Sequence, residues 1–303
     1  GASIHLRHKL LSMERMEGNS FGGWICDGKG DQFPIRAKIV IDASGVAAVC
    51  SRLVKLDGEY PLNPKGKVVA GMQYELLDVP TDGYLDFYIW PRYAEKGYLW
   101  MIPKCDGRAN VGLVTEDKPR TKKALDEFIA DTHFSDLEQT LPPWKDKGSP
   151  AFGGTIPISG PFDRTHHDGL MLVGDAAGFT SPLFEGGSHL ALKSAVFAAQ
   201  TAAKAISEGD LSSERLSEYT RLWKAEFPPY DKILRGKTAL FELSDDEMSV
   251  MATCFPDEMS DMGASGKAMV GFKLLLRRPG LYFKSIVPAM LAFGYSRAKY
   301  YGW

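Results

Sequence analysis

The stretch at residues 170–206 constrains the fold of this chain more than any other. It reads LMLVGDAAGFTSPLFEGGSHLALKSAVFAAQTAAKAI, an apolar segment, a loop of small residues and an alanine-rich segment. The pattern predicts a buried strand that ends at Gly174-Asp175 and a helix that begins after Gly186-Gly187. A glycine-rich turn between a strand and a helix lets backbone N–H groups and the positive helix end approach an anionic or carbonyl-rich ligand. The stretch therefore predicts half of a cofactor site.

Composition and charge exclude several classes of protein. With 303 residues, 44% of them hydrophobic, the chain can bury a large core and suits two intimate domains. Its 36 Lys and Arg nearly balance 38 Asp and Glu, so the chain has no strong positive electrostatic field that would favour nucleic acid as a partner. No C-x-x-C pair occurs, which argues against a zinc site, an iron–sulfur cluster or a disulfide framework and favours a reducing cytoplasm. The scattered cysteines are Cys26, Cys50, Cys105 and Cys254.

A second strand end repeats the first design. The segment IVIDASG predicts a parallel strand that ends in Asp42, followed by Gly45. An aspartate at such an edge can accept hydrogen bonds from ribityl or ribose hydroxyls, and small residues such as Ala176, Ala177 and Gly178 leave room for a ligand chain. The alternative is close packing of a helix on a strand, which needs the same small residues. Two such strand ends in one chain favour the ligand site.

The remaining segments predict a mixed α/β fold. VVAGMQYELL, YLDFYIWPRY, GYLWMIPK and RANVGLVTE predict strands of a mostly antiparallel sheet, followed by an amphipathic helix at TKKALDEFIADTHF. After about residue 210 the chain predicts helices, the last of them broken at Pro279-Gly280. Strand alternation places Tyr98 and Trp100 on one face, where the pattern alone favours a core position over a pocket wall.

Several of these segments carry a resemblance to a known family. GLMLVGDAAGFTSPLFEGGSHLALKSA is similar to the second FAD-binding motif of flavoproteins with the para-hydroxybenzoate hydroxylase type of fold. YLWMIP resembles the Tyr-x-Trp-x-Phe-Pro signature of the geranylgeranyl reductase family, with Ile102 in place of Phe. IDASGVAAVCSR resembles the superfamily's Asp-Gly motif, although Ser44 stands where an Asp is usual, which weakens any role of this loop with a nicotinamide cofactor. The family includes the archaeal digeranylgeranylglycerophospholipid reductases.

The resemblance implies FAD as cofactor and a set of residues around it. Gly174 and Asp175 would meet its ribityl and pyrophosphate part, and the loop before the long helix would lie along the isoalloxazine, with helix N–H groups facing flavin O2 and N1. The implied cofactor-binding residues are Asp42, Gly45, Arg52, Gly174, Asp175, Ala176, Gly178, Pro182, Glu185, Gly186 and Gly187. For Glu185 a first-turn helix carboxylate is favoured over an acid catalyst. His189 is the candidate for a proton relay, with capping or packing as the alternative, and no metal site is expected.

The resemblance also reverses the assignment of the aromatic residues. An isoprenoid chain would lie against a flat apolar wall across the flavin, so the implied substrate-binding residues are Tyr88, Tyr98, Trp100 and Pro103. The predicted layout has an FAD-binding domain at 1–55 and 150–210, a substrate-binding sheet domain at 56–149 and a helical region at 211–303. No G-x-G-x-x-G turn for the ADP half of FAD occurs, so the chain is expected to start inside the FAD domain.

The activity implied by the family is hydride transfer from flavin N5 to a C=C bond of a geranylgeranyl or other polyprenyl lipid. Reduced ferredoxin or NAD(P)H would supply the electrons. One alternative is a flavin-dependent monooxygenase or halogenase, which shares the strand-end motifs without YLWMIP. Another is a membrane-associated, quinone-linked electron-transfer dehydrogenase, whose cysteine-ligated cluster has no counterpart after Cys254. A non-enzymatic half-domain that binds a partner is the fourth reading.

The last segment of the chain bears on location. RRPGLYFKSIVPAMLAFGYSRAKYYGW mixes apolar and aromatic residues with cations, a composition that suits a headgroup interface, although these residues could equally cap the helical end of the fold. No stretch has the length of an apolar membrane span. A lipid substrate favours peripheral association, at the cytoplasmic face of the cell membrane. The cations are Arg277, Arg278, Lys284, Arg297 and Lys299.

Overall fold

The chain forms two compact units in a computed structural model that describes residues 1–54, 68–141, 147–158, 160–256 and 263–296. Unit 1 comprises Gly1–Lys67, Pro157–Ser181 and Glu185–Pro228, and unit 2 comprises Val68–Ile156, Pro182–Phe184 and Pro229–Trp303. The predicted mixed α/β class, with an antiparallel sheet and a helical C-terminal region, is confirmed. The functional division at 1–55, 56–149, 150–210 and 211–303 stays a prediction.

Strands and helices are labelled in chain order. The described strands are β1 Lys9–Arg15, β2 Phe21–Cys26, β3 Gln32–Ala37, β4 Val40–Asp42, β5 Val68–Leu76, β6 Asp86–Tyr88, β7 Tyr98–Pro103, β8 Ala109–Thr115, β9 Gln139–Thr140, β10 Phe152–Pro157, β11 His166–His167 and β12 Leu170–Leu172. The described helices are α1 Val49–Leu53, α2 Thr121–Ala130, α3 Ser188–Glu208, α4 Ser213–Glu226, α5 Tyr230–Phe241, α6 Asp245–Ala252, α7 Ala264–Arg277, α8 Pro279–Leu281 and α9 Val287–Tyr295, with a π-helical turn at Tyr282–Ile286 before the last.

Unit 1 contains the two predicted strand ends in one small sheet. Its order is β11-β12-β4, and β4 runs parallel to β12 with Asp42 beside Leu172. Strand β12 is fully buried, whereas Ile41 in β4 is 39% exposed because β4 is the last strand of this sheet in the described part of the chain. The parallel arrangement places both Asp-containing loops at the same edge of the sheet. Strands β1, β2 and β3 form a separate antiparallel sheet.

Helix α3 packs against this sheet through its smallest side chains. Ala198, Ala202 and Ala205 are buried in one core with Leu172 and Val173. The helix ends where Gly209 adopts the left-handed conformation at φ 73°, which glycine tolerates best. Alanines keep the helix close to the strands because they add little bulk to the contact face.

Unit 2 is built on a six-stranded sheet of order β10-β5-β8-β7-β6, with β9 paired to β5. Strands β5, β8, β7 and β6 are antiparallel neighbours. One face packs on α2 and forms the main core, which includes Leu99, Leu113 and Phe128. Alternation along β7 sends Tyr98 and Trp100 to the opposite face, so their predicted shared face is confirmed.

The C-terminal helices form smaller cores. Cys254 of the turn after α6 is buried with Val270 and Leu274 of α7, and Ser244 caps α6 in a capping box with Glu247. Helix α7 ends before Pro279, where the break was predicted. Among the residues described, no helix is long and apolar enough to cross a membrane.

Candidate active site

The loop after β12 is shaped by glycines that no other residue could replace without strain. The chain leaves the strand in a 3₁₀ turn at Gly174–Ala177, with φ at 57° for Gly174 and 75° for Gly178. A Cβ on Gly178 would lie 2.1 Å from the carbonyl oxygen of Gly160, and one on Gly174 would lie 3.0 Å from Cβ of Ala191 in α3. The Gly174 N–H donates to Ser194 Oγ at 3.1 Å. The glycines thus let the loop pass close to the helix.

The carboxylate of Asp175 lies beside the beginning of α3. Its Oδ1 accepts a hydrogen bond from Thr180 Oγ1 at 2.8 Å, and a Cβ on Gly187 would lie 3.1 Å from the same oxygen. The second oxygen accepts no hydrogen bond within the part of the chain that the structure describes. Asp175 is half-buried, so it keeps an acceptor for a ligand hydroxyl.

The N-cap residue of α3 provides no side-chain cap. Gly187 occupies the N-cap position, and its missing side chain leaves the first helical N–H groups to other acceptors. The preceding turn is closed by a hydrogen bond from the Ser181 N–H to the Gly186 carbonyl at 2.9 Å, and Glu185 is held at φ 50°. A left-handed residue other than glycine costs about 1–2 kcal/mol and is concentrated at functional sites. A helix start with glycine at the N-cap and a carboxylate oxygen that accepts no hydrogen bond from the described residues fit the polar side of a flavin.

The loop after β4 uses its carboxylate differently. Asp42 is 1% exposed, and Oδ1 accepts from the backbone N–H of Ser44 at 3.0 Å and its hydroxyl at 2.5 Å. Oδ2 accepts from the N–H groups of Cys50 at 2.9 Å and Ser51 at 3.5 Å, so Asp42 caps the short helix α1 from the strand. Gly45 has φ 67° with no atom within 4 Å of a built Cβ, and Arg52 is exposed on α1.

The other predicted residues of the loop occupy different surroundings. Ala176 is fully buried in the unit 1 core, so its side chain packs against protein. Pro182 is buried and belongs to unit 2. His189 is the second residue of α3 and is half-buried. Their contacts with a cofactor stay predictions.

Unit 2 presents an aromatic wall on the face of the sheet away from α2. We define this wall as Phe87, Tyr98, Trp100 and Phe184. Tyr98 lies at its centre, with ring centroids 5.1 Å from Phe87, 5.8 Å from Trp100 and 5.4 Å from Phe184. The Tyr98 hydroxyl donates to the Phe184 carbonyl at 2.6 Å, which ties the loop Pro182–Phe184 to the sheet. Phe87 is 46% exposed, so the wall offers apolar surface to a ligand.

Two predicted substrate-binding residues do not join this wall. Tyr88 pairs with Leu99 across β6 and β7 and shares its face, with its ring 5.6 Å from that of Phe128 in α2. Burial, with Asp86 nearby, raises the pKa of Tyr88 to about 12. Pro103 ends β7 and shares the alternation of Leu99, not of Trp100. Phe87, one residue earlier than Tyr88, occupies the place that the sequence assigned to Tyr88.

Sequence reasoning also missed the polar neighbour of Trp100. The indole Nε1 donates to Oε1 of Gln73 at 3.1 Å, and both side chains flank Gly112. The identity of these partners follows from strand register, which no local motif encodes. Phe184 could have been suspected, because it stands in the same SPLFEGG loop as the predicted cofactor residues.

Two of the four cysteines lie in the protein interior. Cys50 and Cys254 are buried, and burial of Cys50, followed in importance by the charge of Asp42, raises the pKa of its thiol to about 12. A thiol with so high a pKa is a poor nucleophile. In the described ranges no cluster of three or more His, Cys, Asp or Glu side chains could hold a metal ion.

Comparisons with known proteins agree with this geometry. Residues 68–141, which carry most of the aromatic wall, match the geranylgeranyl reductase catalytic domain. The chain is 32% identical over 295 residues to the digeranylgeranylglycerophospholipid reductase of Methanocaldococcus jannaschii, an alignment that covers 95% of this chain and 71% of that enzyme. The enzyme of the same name from Methanococcus vannielii is 30% identical over 295 residues, with the same coverage of 95% and 71%.

Solved structures share the fold over nearly the whole chain. A geranylgeranyl bacteriochlorophyll reductase-like protein from Thermoplasma acidophilum superposes with a TM-score of 0.76 at 25% identity, covering 93% of this chain and 69% of that one. The flavin-dependent halogenase CmlS superposes with a TM-score of 0.58 at 19% identity, covering 89% and 55%, and shows the fold alone. The resemblance carried by YLWMIP and the strand-end loops is thus confirmed, and the chain is an oxidoreductase that belongs to the geranylgeranyl reductase family.

Proposed function

We propose that this protein is an FAD-dependent reductase of C=C bonds in a geranylgeranyl or other polyprenyl lipid. The aromatic wall carries the proposal, because it is a largely apolar surface with Phe87 exposed, and three of its four residues lie inside the segment that matches the catalytic domain. The relatives named digeranylgeranylglycerophospholipid reductase support the same class of substrate.

Unit 1 holds the cofactor in this proposal. Asp175 accepts a hydrogen bond from a ribityl hydroxyl through the oxygen that its own loop leaves unused, and the N–H groups at the start of α3 stabilise negative charge on the ring system. Gly174, Gly178, Glu185, Gly186 and Gly187 shape the loop around it, with Gly45 and Arg52 on the neighbouring loop. When bound, FAD supplies the hydride that reduces one alkene carbon.

Unit 2 binds the substrate chain. Phe87, Trp100 and Phe184 offer flat apolar surface on which an isoprenoid loses contact with water, and Tyr98 anchors the wall through its hydroxyl. An unactivated alkene must be closely aligned before it reacts, so these side chains act by positioning. The second alkene carbon takes a proton from a side chain or an ordered water, with His189 as the candidate side chain.

Anaerobic titration tests the activity. Protein reduced with dithionite is mixed with a geranylgeranyl lipid, and the return of the oxidised flavin spectrum is followed together with the mass of the lipid. We expect flavin oxidation matched by saturation of the lipid. Trp100→Ala should lower this rate more than it lowers flavin content, whereas Trp24→Ala, at a 48% exposed tryptophan of unit 1, should change neither. Oxygen consumption stimulated by substrate would instead support the monooxygenase alternative.

The electron donor is a separate part of the proposal. Reduced ferredoxin and NAD(P)H are the two candidates, and they are distinguished by which one reduces the protein-bound flavin under anaerobic conditions. Ser44, in place of the usual Asp of the loop after β4, weakens the case for a nicotinamide. We therefore expect faster reduction by ferredoxin.

Peripheral membrane association at the cytoplasmic face completes the proposal. The segment 263–296 contains five Lys or Arg and no Asp or Glu. Its exposed apolar residues extend the predicted interfacial segment backward into α7: Met269, Phe272, Leu276, Phe283, Met290 and Leu291. Arg297 and Lys299 lie outside the described residues. Cations beside apolar side chains suit an anionic headgroup interface.

Vesicle sedimentation tests this association. The protein should bind vesicles that contain anionic phospholipid, and binding should weaken as salt rises. Phe272→Ser with Leu276→Ser should reduce binding, and the matched variant Leu192→Ser, at an exposed leucine on α3 of unit 1, should not. Absence of binding at low salt would reject the membrane claim without touching the proposed reaction.

A further inference from the structure

Three strands of the unit 2 sheet place Gln73, Gly112 and Trp100 side by side. Gly112 of β8 pairs with Gln73 of β5 on one side and with Trp100 of β7 on the other. Residues that pair across neighbouring strands project from the same face of a sheet. The three residues therefore form one row on the face that carries the aromatic wall.

The indole of Trp100 lies across Gly112. A Cβ built on Gly112 would be 2.6 Å from Cζ2 of Trp100 and 2.6 Å from Cβ of Gln73, distances that real Cβ atoms do not reach. Only a residue without a side chain leaves this space for the ring. The indole Nε1 crosses the row and donates to Oε1 of Gln73 at 3.1 Å, within the normal range for such a bond.

The position of the Trp100 indole over Gly112 sets how far the aromatic wall extends across the sheet. Phe87 pairs with Trp100 from β6, so the apolar surface begins at β6 and, through the indole, extends over β8 toward β5. Trp100 is half-buried, and a tryptophan side chain in that position has other rotamers available when its N–H is not held. An indole turned away from Gly112 would shorten the surface by about one strand spacing of 4.8 Å.

We propose that Gln73 is a positioning residue that holds the Trp100 indole flat on Gly112 and thereby sets how long a prenyl chain the wall accepts. The proposal rests on the proposed function for the identity of the ligand. Gln73 does not touch the reacting atoms. It acts through Trp100, and its effect on substrate binding depends on the hydrogen bond from the indole N–H.

A double-mutant cycle tests the dependence on the N–H. Gln73→Met keeps the size of the side chain and removes the acceptor, and Trp100→Phe removes the donor. In the FAD-loaded enzyme we expect Gln73→Met to raise KM for a geranylgeranyl lipid about fivefold, with kcat within about twofold and flavin content unchanged. The KM for a geranyl (C10) analogue should change less. In the Trp100→Phe background, Gln73→Met should have no effect on KM.

A second variant and a binding assay separate the role of Gln73 from the proposed reaction. Gln73→Glu keeps an acceptor oxygen and should restore the preference for the longer chain. An equal effect of Gln73→Met in the wild-type and Trp100→Phe backgrounds would overturn the proposal, as would an unchanged KM in Gln73→Met. Equilibrium binding of the same lipid in radiolabelled form, a readout that does not need the tryptophan removed in Trp100→Phe, gives its Kd without turnover. If wild-type enzyme binds the lipid but does not reduce it, the proposed function fails while the cycle, measured on Kd, still tests Gln73.

Discussion

The loops after β4 and β12 begin with the same motif and use it in different ways. Each follows a parallel strand at the same sheet edge and carries an aspartate, Asp42 in one and Asp175 in the other. Four donors of its own loop occupy Asp42, whereas Asp175 receives one hydrogen bond from Thr180. A carboxylate with no acceptor capacity left stabilises the protein, and one with capacity left can bind a ligand.

The length of chain between strand and helix explains this difference. Helix α1 begins at Val49, seven positions after Asp42, and its first N–H groups point back at that carboxylate. After β12 the chain makes a longer excursion and reaches α3 only at Ser188, and the N-cap residue beside Asp175 is Gly187, which has no side chain to cap the helix. After a short connection, the aspartate at the strand end accepts hydrogen bonds from the first N–H groups of the helix. After a long connection, those N–H groups remain available to a ligand.

The largest effect is expected at Asp42. Asp42→Ala removes the acceptor for four donors, of which the N–H groups of Cys50 and Ser51 are buried, and should lower the free energy of unfolding by about 3–5 kcal/mol. Urea denaturation measures this loss, and Asp42→Asn, which keeps one acceptor oxygen, should lose less. A loss below about 1 kcal/mol in Asp42→Ala would end the assignment of a structural role to this carboxylate.

A pH effect on the sheet that carries both loops ranks second. Burial, and next to it the neighbouring His166, lowers the pKa of His167 to about 4, with Arg164, Arg15 and Asp168 also nearby. Because the unfolded chain takes up a proton near pH 6.5 and the folded one does not, stability present above pH 6.5 is lost as pH falls toward 4, by about 2–3 kcal/mol.

Thermal unfolding at several pH values checks this expectation. The control variant His167→Asn should remove most of the dependence between pH 6.5 and 4. Asp175→Ala should keep it, because His167 supports the sheet and not the ligand loop. An identical pH profile for wild type and His167→Asn would show that another group causes the loss.

The third effect concerns ligand affinity and not stability. Asp175→Ala should weaken FAD binding by about 1.5–3 kcal/mol, which is roughly 10-fold to 100-fold in Kd. Its free energy of unfolding without FAD should change by less than about 1 kcal/mol, because only the Thr180 bond is lost. Equilibrium titration with FAD measures the first quantity and urea denaturation the second. Unchanged flavin affinity would mean that the Asp175 carboxylate, like that of Asp42, does not bind the ligand.

The smallest effect is expected at Gly45. Its φ of 67° with open space around a Cβ means that Gly45→Ala meets only backbone strain, about 1 kcal/mol of unfolding free energy. Gly178→Ala has a similar φ of 75° but also places Cβ 2.1 Å from the Gly160 carbonyl, so it should lose more. Equal losses of unfolding free energy in the two variants would mean that the loop after β12 can shift to make room for a Cβ at residue 178, contrary to this expectation.

Sequence patterns predicted the order of elements well because those patterns are local. The apolar runs before Asp42 and Asp175 identified two parallel strands, and Gly186-Gly187 marked the start of α3. Tyr98 and Trp100 were placed on one face by alternation within a single strand. Each of these features depends on residues that are close in the chain.

Contacts between residues that are far apart in the chain could not be predicted from sequence patterns. Phe87 and not the predicted Tyr88 belongs to the aromatic wall because of the register of β6 against β7. A shift of one residue would move every side chain of the strand to the other face of the sheet. The anchoring of Trp100 by Gln73 depends on two strand pairings at Gly112.

The fold class, the two strand-end loops and the family could be inferred from local patterns, because hydrophobic period, glycine placement and short motifs are properties of neighbouring residues. The difference between Asp42, whose oxygens are occupied by its own loop, and Asp175 became visible in the folded structure, as did the set of aromatic residues that share one face of the sheet. Hydrogen-bond capacity and side-chain direction depend on what lies opposite in space, and strand register and helix position decide that.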